Sequence, residues 1–123
     1  IAHVFVRHFV KENTGQIINT SSVLGTKVRA NAGAYSATKY AVEALSEAMR
    51  LELADTNVKV TCIEPGLVMT DLHDHFEVHP KDVIGLEEPL QPVDIARIVL
   101  HVATQPAHVL VPKVMVLPKH NAI

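Results

Sequence analysis

Gly15-Gln16-Ile17-Ile18-Asn19-Thr20-Ser21-Ser22, followed thirteen residues after Ser22 by Tyr35-Ser36-Ala37-Thr38-Lys39, is the stretch on which the reading of this chain turns. Gln16 to Thr20 is a short β-rich run and predicts a strand. Ser21 to Gly33 holds Ser, Gly and Asn and reads as a loop. Ala34 to Leu53 is rich in Ala, Leu, Glu and Met, with no internal Gly or Pro, and predicts a long helix. Tyr35 and Lys39 fall four apart at the start of that helix, on one face and one turn apart.

The flanking segments extend the pattern. Val4/Phe5 and His8/Phe9 recur at helical spacing, so residues 1–10 read as the tail of an amphipathic helix cut at residue 1. Lys11-Glu12-Asn13-Thr14-Gly15 stops it. Within the long helix Ala37, Ala41, Leu45, Ala48 and Met49 form one apolar stripe, while Glu43, Glu47 and Arg50 lie on a more polar side. Val58 to Ile63 predicts a second strand, terminated by Pro65-Gly66. Thr70 to Leu90 is polar, His-rich and irregular, with a helical turn expected near Leu72–Phe76. Pro92 to Ala103 predicts a second full helix with Pro in its first turn, and Val109 to Leu117 a last strand broken by Pro112. Strand, helix, strand, helix, strand at these lengths implies βαβ units and a parallel sheet with helices on its faces. The fold class is therefore α/β.

Composition narrows the function. The 123 residues carry 11 Lys plus Arg against 13 Asp plus Glu, a formal net charge of −2. Without a basic excess to displace counterions, nucleic-acid binding by bulk charge is not expected. A content of 48% hydrophobic and 20% charged residues is ordinary globular usage, which argues against disorder. The opening apolar run is short and interrupted by Arg7 and two His, so neither a membrane span nor a signal peptide is expected. The lone Cys62 excludes an intrachain disulfide and a Cys-based zinc site, and fits a reducing, cytoplasmic setting.

Taken alone, Tyr35 and Lys39 read as a surface Tyr and a solvated Lys. As a pair they have a chemistry. A free Tyr, with a pKa near ~10, exchanges protons poorly at neutral pH. A nearby ammonium favours the phenolate, so Tyr35 becomes a candidate general acid toward a carbonyl oxygen, or base toward an alcohol. Ser22 ends the first strand, where open α/β sheets bind ligands, and Pro65-Gly66-Leu67-Val68-Met69-Thr70 ends the next strand at the same edge.

This set resembles the short-chain dehydrogenase/reductase family, in which a Gly-x-Ile-x-Asn-x-Ser-Ser strand, a Tyr-x-x-x-Lys helix and a Pro-Gly-x-Val-x-Thr loop occur in this order. The resemblance covers about Ile1 to Thr70 by motif and the remainder by element order. It implies that Tyr35 is the catalytic acid/base and that Lys39 lowers its pKa and bonds the nicotinamide ribose. It implies that Ser22 orients the substrate oxygen. Pro65, Gly66, Val68 and Thr70 would line the nicotinamide, the Val68 backbone and the Thr70 hydroxyl reading its carboxamide. The coenzyme implied is NADP in preference to NAD, the substrate a small carbonyl or hydroxy compound, and the assembly a homodimer or homotetramer. Ile63-Glu64-Pro65-Gly66-Leu67-Val68, Gln91 to Ala96 and Gln105 to Val109 look like the NADP-dependent 3-hydroxy acid, or serine-type, subgroup. The family's opening Gly-rich turn, its Asn-Asn-Ala-Gly segment and its catalytic Asn have no counterpart in this sequence. Residues 1–123 are accordingly expected to be a partial domain, the C-terminal, catalytic half of a Rossmann-type doubly wound sheet with the nucleotide-binding half missing, and to be inactive by themselves.

Other readings fit less well. Asp71, His73, Asp74, His75 and His79 crowd one loop in a pattern that zinc accepts. No rigid element presents them at a helical spacing, so a polar substrate-covering loop is expected and no metal. No Gly-x-Ser-x-Gly elbow is present for a hydrolase. The alternative from a different class is a catalytically inactive remnant serving as a dimerisation module. The family pairs the helix ending near Val10 with the helix Ala34 to Leu53 in four-helix bundles, and the Ala-rich stripe suits close packing.

Overall fold

The computed structural model describes residues 2–120, so Ile1, where the first helix was expected to be cut, lies outside the described residues. Strands β1 (Gly15–Thr20), β2 (Val58–Pro65) and β3 (Lys113–Val116) form one parallel sheet in the order β1-β2-β3. Helix α1 (Ala2–Glu12) precedes β1, and α2 (Gly33–Glu52) links β1 to β2. The short α3 (Pro80–Val83) and then α4 (Pro92–Ala103) lie between β2 and β3. This is the α/β arrangement that the sequence predicts.

Alternation along β2 assigns the helices to faces. Val58 and Val60 pack with Leu53 into a core joined by Val6 and Phe9 of α1 and Met49 of α2. Lys59, Thr61 and Ile63 point the other way. Lys59 Nζ donates to the carbonyls of Gln105 and Pro106 just past α4, and Thr61 Oγ1 donates to Val111 O at 2.7 Å. The sheet is therefore wound on both faces, with α1 and α2 on one side and α4 on the other.

Local chemistry sets the ends of these elements. Asn13 closes α1 in the left-handed region at φ 50°, and its side chain accepts from Asn57 N, tying the start of β1 to the start of β2. Asp94 Oδ2 accepts from Gln91 N at 2.9 Å, half of a capping box that starts α4 behind Pro92. The last strand is shorter than expected, Lys113–Val116 rather than Val109 to Leu117. Pro112 carries no N–H for the ladder, and β2 meets the preceding residues through single bonds such as Cys62 N to Pro112 O at 2.9 Å. A 3-10 turn at Asp71–His73 matches the turn expected near Leu72–Phe76, and α3 is an addition that the sequence reading left as irregular chain.

Gly15 makes the closest approach in the α1–β1 corner. It sits at φ 150°, and a Cβ there would fall within the Phe9 ring. Gly15→Ala is expected to cost about 2–3 kcal/mol through backbone strain and overpacking, read as a lower urea midpoint with an unchanged slope. A midpoint equal to that of the parent would show that α1 is not clamped on β1 as described.

Candidate active site

The ends of β1 and β2 are level. Thr20 pairs with Ile63, and Ser21 N donates to Ile63 O at 2.8 Å, carrying the ladder one residue further. The chain then diverges on both strands, Ser22 leaving β1 and Pro65-Gly66 leaving β2. Ser22 is buried and caps the 3-10 turn Val23–Gly25, its Oγ accepting from Leu24 N at 3.1 Å. That bond uses a lone pair and leaves the hydroxyl proton to be donated elsewhere. The capping role and a substrate-facing role are thus compatible at Ser22.

Tyr35 and Lys39 occupy the first turns of α2. Lys39 Nζ donates to Thr20 O at 3.2 Å, two residues before Ser22, and lies 5.7 Å from the centroid of the Tyr35 ring. One of three ammonium protons is committed in this way. Tyr35 is 41% exposed, so its ring is open to solvent. The structure thus brings Lys39 to the Ser22 strand end and beside Tyr35.

Pro65 is buried at the end of β2, and Gly66 N donates to Val116 O at 2.7 Å. A Cβ at Gly66 would come within 2.9 Å of Pro118 Cδ, so the absent side chain lets the segment after β3 close on this loop. Val68 bridges to Leu90, with Met69 N donating to Leu90 O and Leu90 N to Leu67 O. This two-stranded clasp holds the loop at its root. Thr70 stands at the N-cap of Asp71–His73, yet its side chain makes no cap bond. The hydroxyl of Thr70 is therefore not explained by capping.

The side of α2 turned to the sheet is polar. Ser36, Glu43 and Ser46 are its buried residues, whereas Leu45 is 64% exposed and Ala37, Ala41 and Ala48 are also exposed. The apolar stripe thus faces outward except at Met49, which packs into the core, and Glu43, read from the sequence as part of a more polar side, is inside. The reason is a set of directional bonds. Ser46 Oγ accepts from Asn19 Nδ2 at 2.9 Å, and Cys62 Sγ donates to Glu43 Oε1 at 3.2 Å. Lys113 Nζ lies 2.9 Å from Glu43 Oε2 and 3.0 Å from Glu64 Oε1. Ser21 Oγ reaches Lys39 O at 3.4 Å. A Cβ on Gly25 would meet Ser21 Oγ at 2.5 Å and Lys39 O at 3.1 Å, so glycine is what lets the Ser22 turn press on α2. Ser21, Gly25, Glu43, Glu64 and Lys113 are the members of this region that sequence reasoning passed over. Only Glu43 carried a local signal, lying one further turn along the Tyr35–Lys39 face.

Titrations differ from their ordinary ranges at Cys62 and in the histidine loop. Burial pushes the Cys62 thiol up to about 11, assisted by its bond to Glu43, which makes it an inert core group. In the histidine loop, burial and then the neighbouring His79 and His75 hold His73 below its usual value, against the opposing pull of Asp74. The His73 and His79 rings meet edge to face at 5.3 Å, and His79 Nδ1 accepts from Lys81 N to start α3. Among the described residues no three His, Cys, Asp or Glu side chains are grouped to hold a metal ion. No helix among them is long and apolar enough to cross a membrane.

Known proteins resemble this chain in sequence and shape. The sequence model of the family described as short chain dehydrogenase matches residues 1–80. An uncharacterized oxidoreductase of Staphylococcus aureus (strain MW2) is 39% identical over 109 residues, 89% of this chain and 45% of the relative. The chain thus spans about half the length of the curated relatives it matches. A closed form of serine dehydrogenase complexed with NADP+ superposes with a TM-score of 0.90 at 31% identity, covering 99% of this chain and 51% of that one. Serine dehydrogenase from Escherichia coli gives a TM-score of 0.81 at 32% identity, over 99% of this chain and 48% of that one. Acetoin dehydrogenase from Salmonella typhimurium gives 0.76 at 26% identity, over 94% and 47%.

Glu43 supplies a pH test of the polar face. Burial raises its carboxyl, but the neighbouring Ser21 hydroxyl, the Lys113 ammonium and the bond from Cys62 together hold it below the ordinary 4.5. The folded state therefore keeps this carboxylate charged at a pH where the unfolded chain has begun to bind a proton. Its stabilisation is complete above the ordinary carboxylate range and drains away as pH falls through and below it. Melting temperatures taken from pH 7 to pH 3 should fall on the acid side, and less steeply in Glu43→Gln. Parallel acid limbs would mean that Glu43 is not held as described.

Proposed function

The chain belongs to the short chain dehydrogenase family, and from that premise we propose that it is the catalytic portion of an oxidoreductase. The whole protein would transfer hydride between a nicotinamide coenzyme, NADP in preference to NAD, and a small hydroxy or carbonyl compound. Residues 1–123 would form one partial dehydrogenase domain. The observation that carries this reading is the meeting of Lys39 with the Ser22 strand end, beside Tyr35 and level with the Pro65–Thr70 loop.

The donor set fits a nicotinamide nucleoside. Lys39 retains ammonium protons for the ribose hydroxyls, and the Thr70 hydroxyl, not engaged in capping, suits a carboxamide. Gly66, closed over by Pro118, and the clasped Val68 backbone hold the loop that would flank the ring. The coenzyme, when bound, supplies or takes the hydride. The residues do the remainder. Ser22 donates its free proton to the substrate oxygen and holds it beside Tyr35. Tyr35 gives its phenolic proton to that oxygen as a carbonyl is reduced, or takes it back as an alcohol is oxidised. Lys39 places a positive charge next to the ring on which negative charge then develops.

Resemblance in sequence and shape to serine dehydrogenases supports a 3-hydroxy acid as the substrate class. The outward apolar stripe of α2 supports assembly into a homodimer or homotetramer, the feature that also favours an interaction module as the second reading. The isolated 123 residues are not expected to turn over. A few hydrogen bonds, each worth ~0.5–3 kcal/mol, scarcely offset the cost of ordering a large flexible coenzyme.

Turnover of the full-length protein with NADP+ or NAD+ across a panel of small 3-hydroxy acids, serine first, tests the assignment. Tyr35→Phe should lower kcat by about 10²–10⁴-fold while coenzyme binding, read by nicotinamide fluorescence, stays within about threefold. Wild-type kcat in that variant would remove Tyr35 from the chemistry. A full-length protein that binds neither coenzyme and assembles through α2 would favour the interaction-module reading.

A further inference from the structure

We propose that Lys113 is a positioning residue for the Ser22, Tyr35 and Lys39 group, acting from behind the site through one shared ammonium. The inference rests on the dehydrogenase reading above. Lys113 opens β3 and pairs in register with Cys62 of β2. Its Nζ stands within 3.0 Å of two carboxylates from different elements, Glu43 on α2 and Glu64 on β2. Glu43 lies one turn beyond Lys39 on the helix that bears Tyr35. Glu64 is fully buried and immediately precedes the Pro65-Gly66 loop. Thr26, which closes the turn begun at Ser22, sets its hydroxyl 3.5 Å from Glu64 Oε2. The helix with the acid/base pair, the root of the nicotinamide loop and the Ser22 turn thus converge on one cation.

Two carboxylates this poor in water tolerate each other only while a positive charge stands between them. Without Lys113, repulsion either drives a proton onto one carboxyl or pushes α2 away from the end of β2. Movement of α2 against β2 displaces Tyr35 relative to Ser22, and misplacement by about 1 Å can cost ~10²-fold in rate. A merely structural lysine would lower the melting temperature and leave the turnover of folded molecules unchanged. A positioning lysine changes kcat with little effect on coenzyme affinity, because Lys39 and Thr70 keep their own bonding groups.

The experiment uses the full-length protein with NADP+ and serine, or the 3-hydroxy acid of the panel that is turned over fastest. Lys113→Met is expected to lower kcat per folded molecule by ~10–100-fold, with KM for NADP+ within about threefold of wild type. Lys113→Arg, which keeps the charge between the two acids, should return kcat to within about threefold. Should Lys113→Met fail to fold, Glu64→Gln carries the test. It preserves shape and the Glu43 pair, and kcat should still fall about fivefold or more. An active wild type with unchanged kcat in Lys113→Met, or in Glu64→Gln, overturns the positioning role and leaves the dehydrogenase reading standing. A wild type that binds no coenzyme and oxidises nothing refutes the dehydrogenase reading, and this inference falls with it.

Discussion

Removing a carboxylate from water costs several kcal/mol unless a partner replaces the lost hydration, and this structure buries two of them side by side. Glu43 and Glu64 share Lys113 as their counter-charge, and the position of one ammonium then constrains where α2 can lie on the sheet. Apolar contacts would let a helix slide or roll by an ångström at small cost. Directional bonds at Glu43, Ser46 and Lys39 do not, because each has a defined acceptor or donor on the opposite element. The polar face of α2 consequently fixes both its height along the sheet and its rotation. That is the requirement for holding a phenol at a strand end.

Much of this architecture is legible in the sequence because its signals are local. Gly15, Pro65-Gly66 and Pro92 punctuate the chain, and the run from Gly33 to Glu52 lacks a helix breaker after its first residue. The Tyr35–Lys39 spacing is local too, and the structure sets Lys39 against the end of β1 with its ammonium 5.7 Å from the Tyr35 ring. What the sequence does not show is contact between distant segments. Nothing near Glu43 announces that its partners are Cys62 and Lys113, so its placement among polar outer residues was the natural reading of a charge on a helix. The polar interior of α2 is the same problem over a whole face. Periodicity tells that a helix has two sides, and burial is decided by what each side meets.

Short elements escape for another reason. Four residues, Pro80–Val83, contain barely one helical turn and have no period to detect, although His79 capping Lys81 N and Pro80 in the first turn are sound start signals in retrospect. At β3 the sequence reading ran too long because hydrophobicity continues through Val109 to Val111 while the hydrogen-bonding pattern does not. Pro112 interrupts the row of donors, and the ladder begins only at Lys113. That truncation places Lys113 first on the strand, opposite Cys62. From there its ammonium reaches both carboxylates.

The same helix therefore has two unlike faces. Ser36, Glu43 and Ser46 point inward, and Glu43 and Ser46 make the bonds that specify one arrangement. Ala37, Ala41, Leu45 and Ala48 point outward and offer small, non-directional surface. Were the faces exchanged, the apolar side would pack on the sheet without fixing Tyr35, and Glu43 would be solvated and worth little. With the polar face inside, α2 owes its position to this chain alone. Its outer face remains available for packing against another surface, and covering it would add burial to a helix whose register is already set. Directional bonds and small apolar surface thus lie on opposite sides of one helix, so what covers the outer face is separable from what fixes α2 on the sheet.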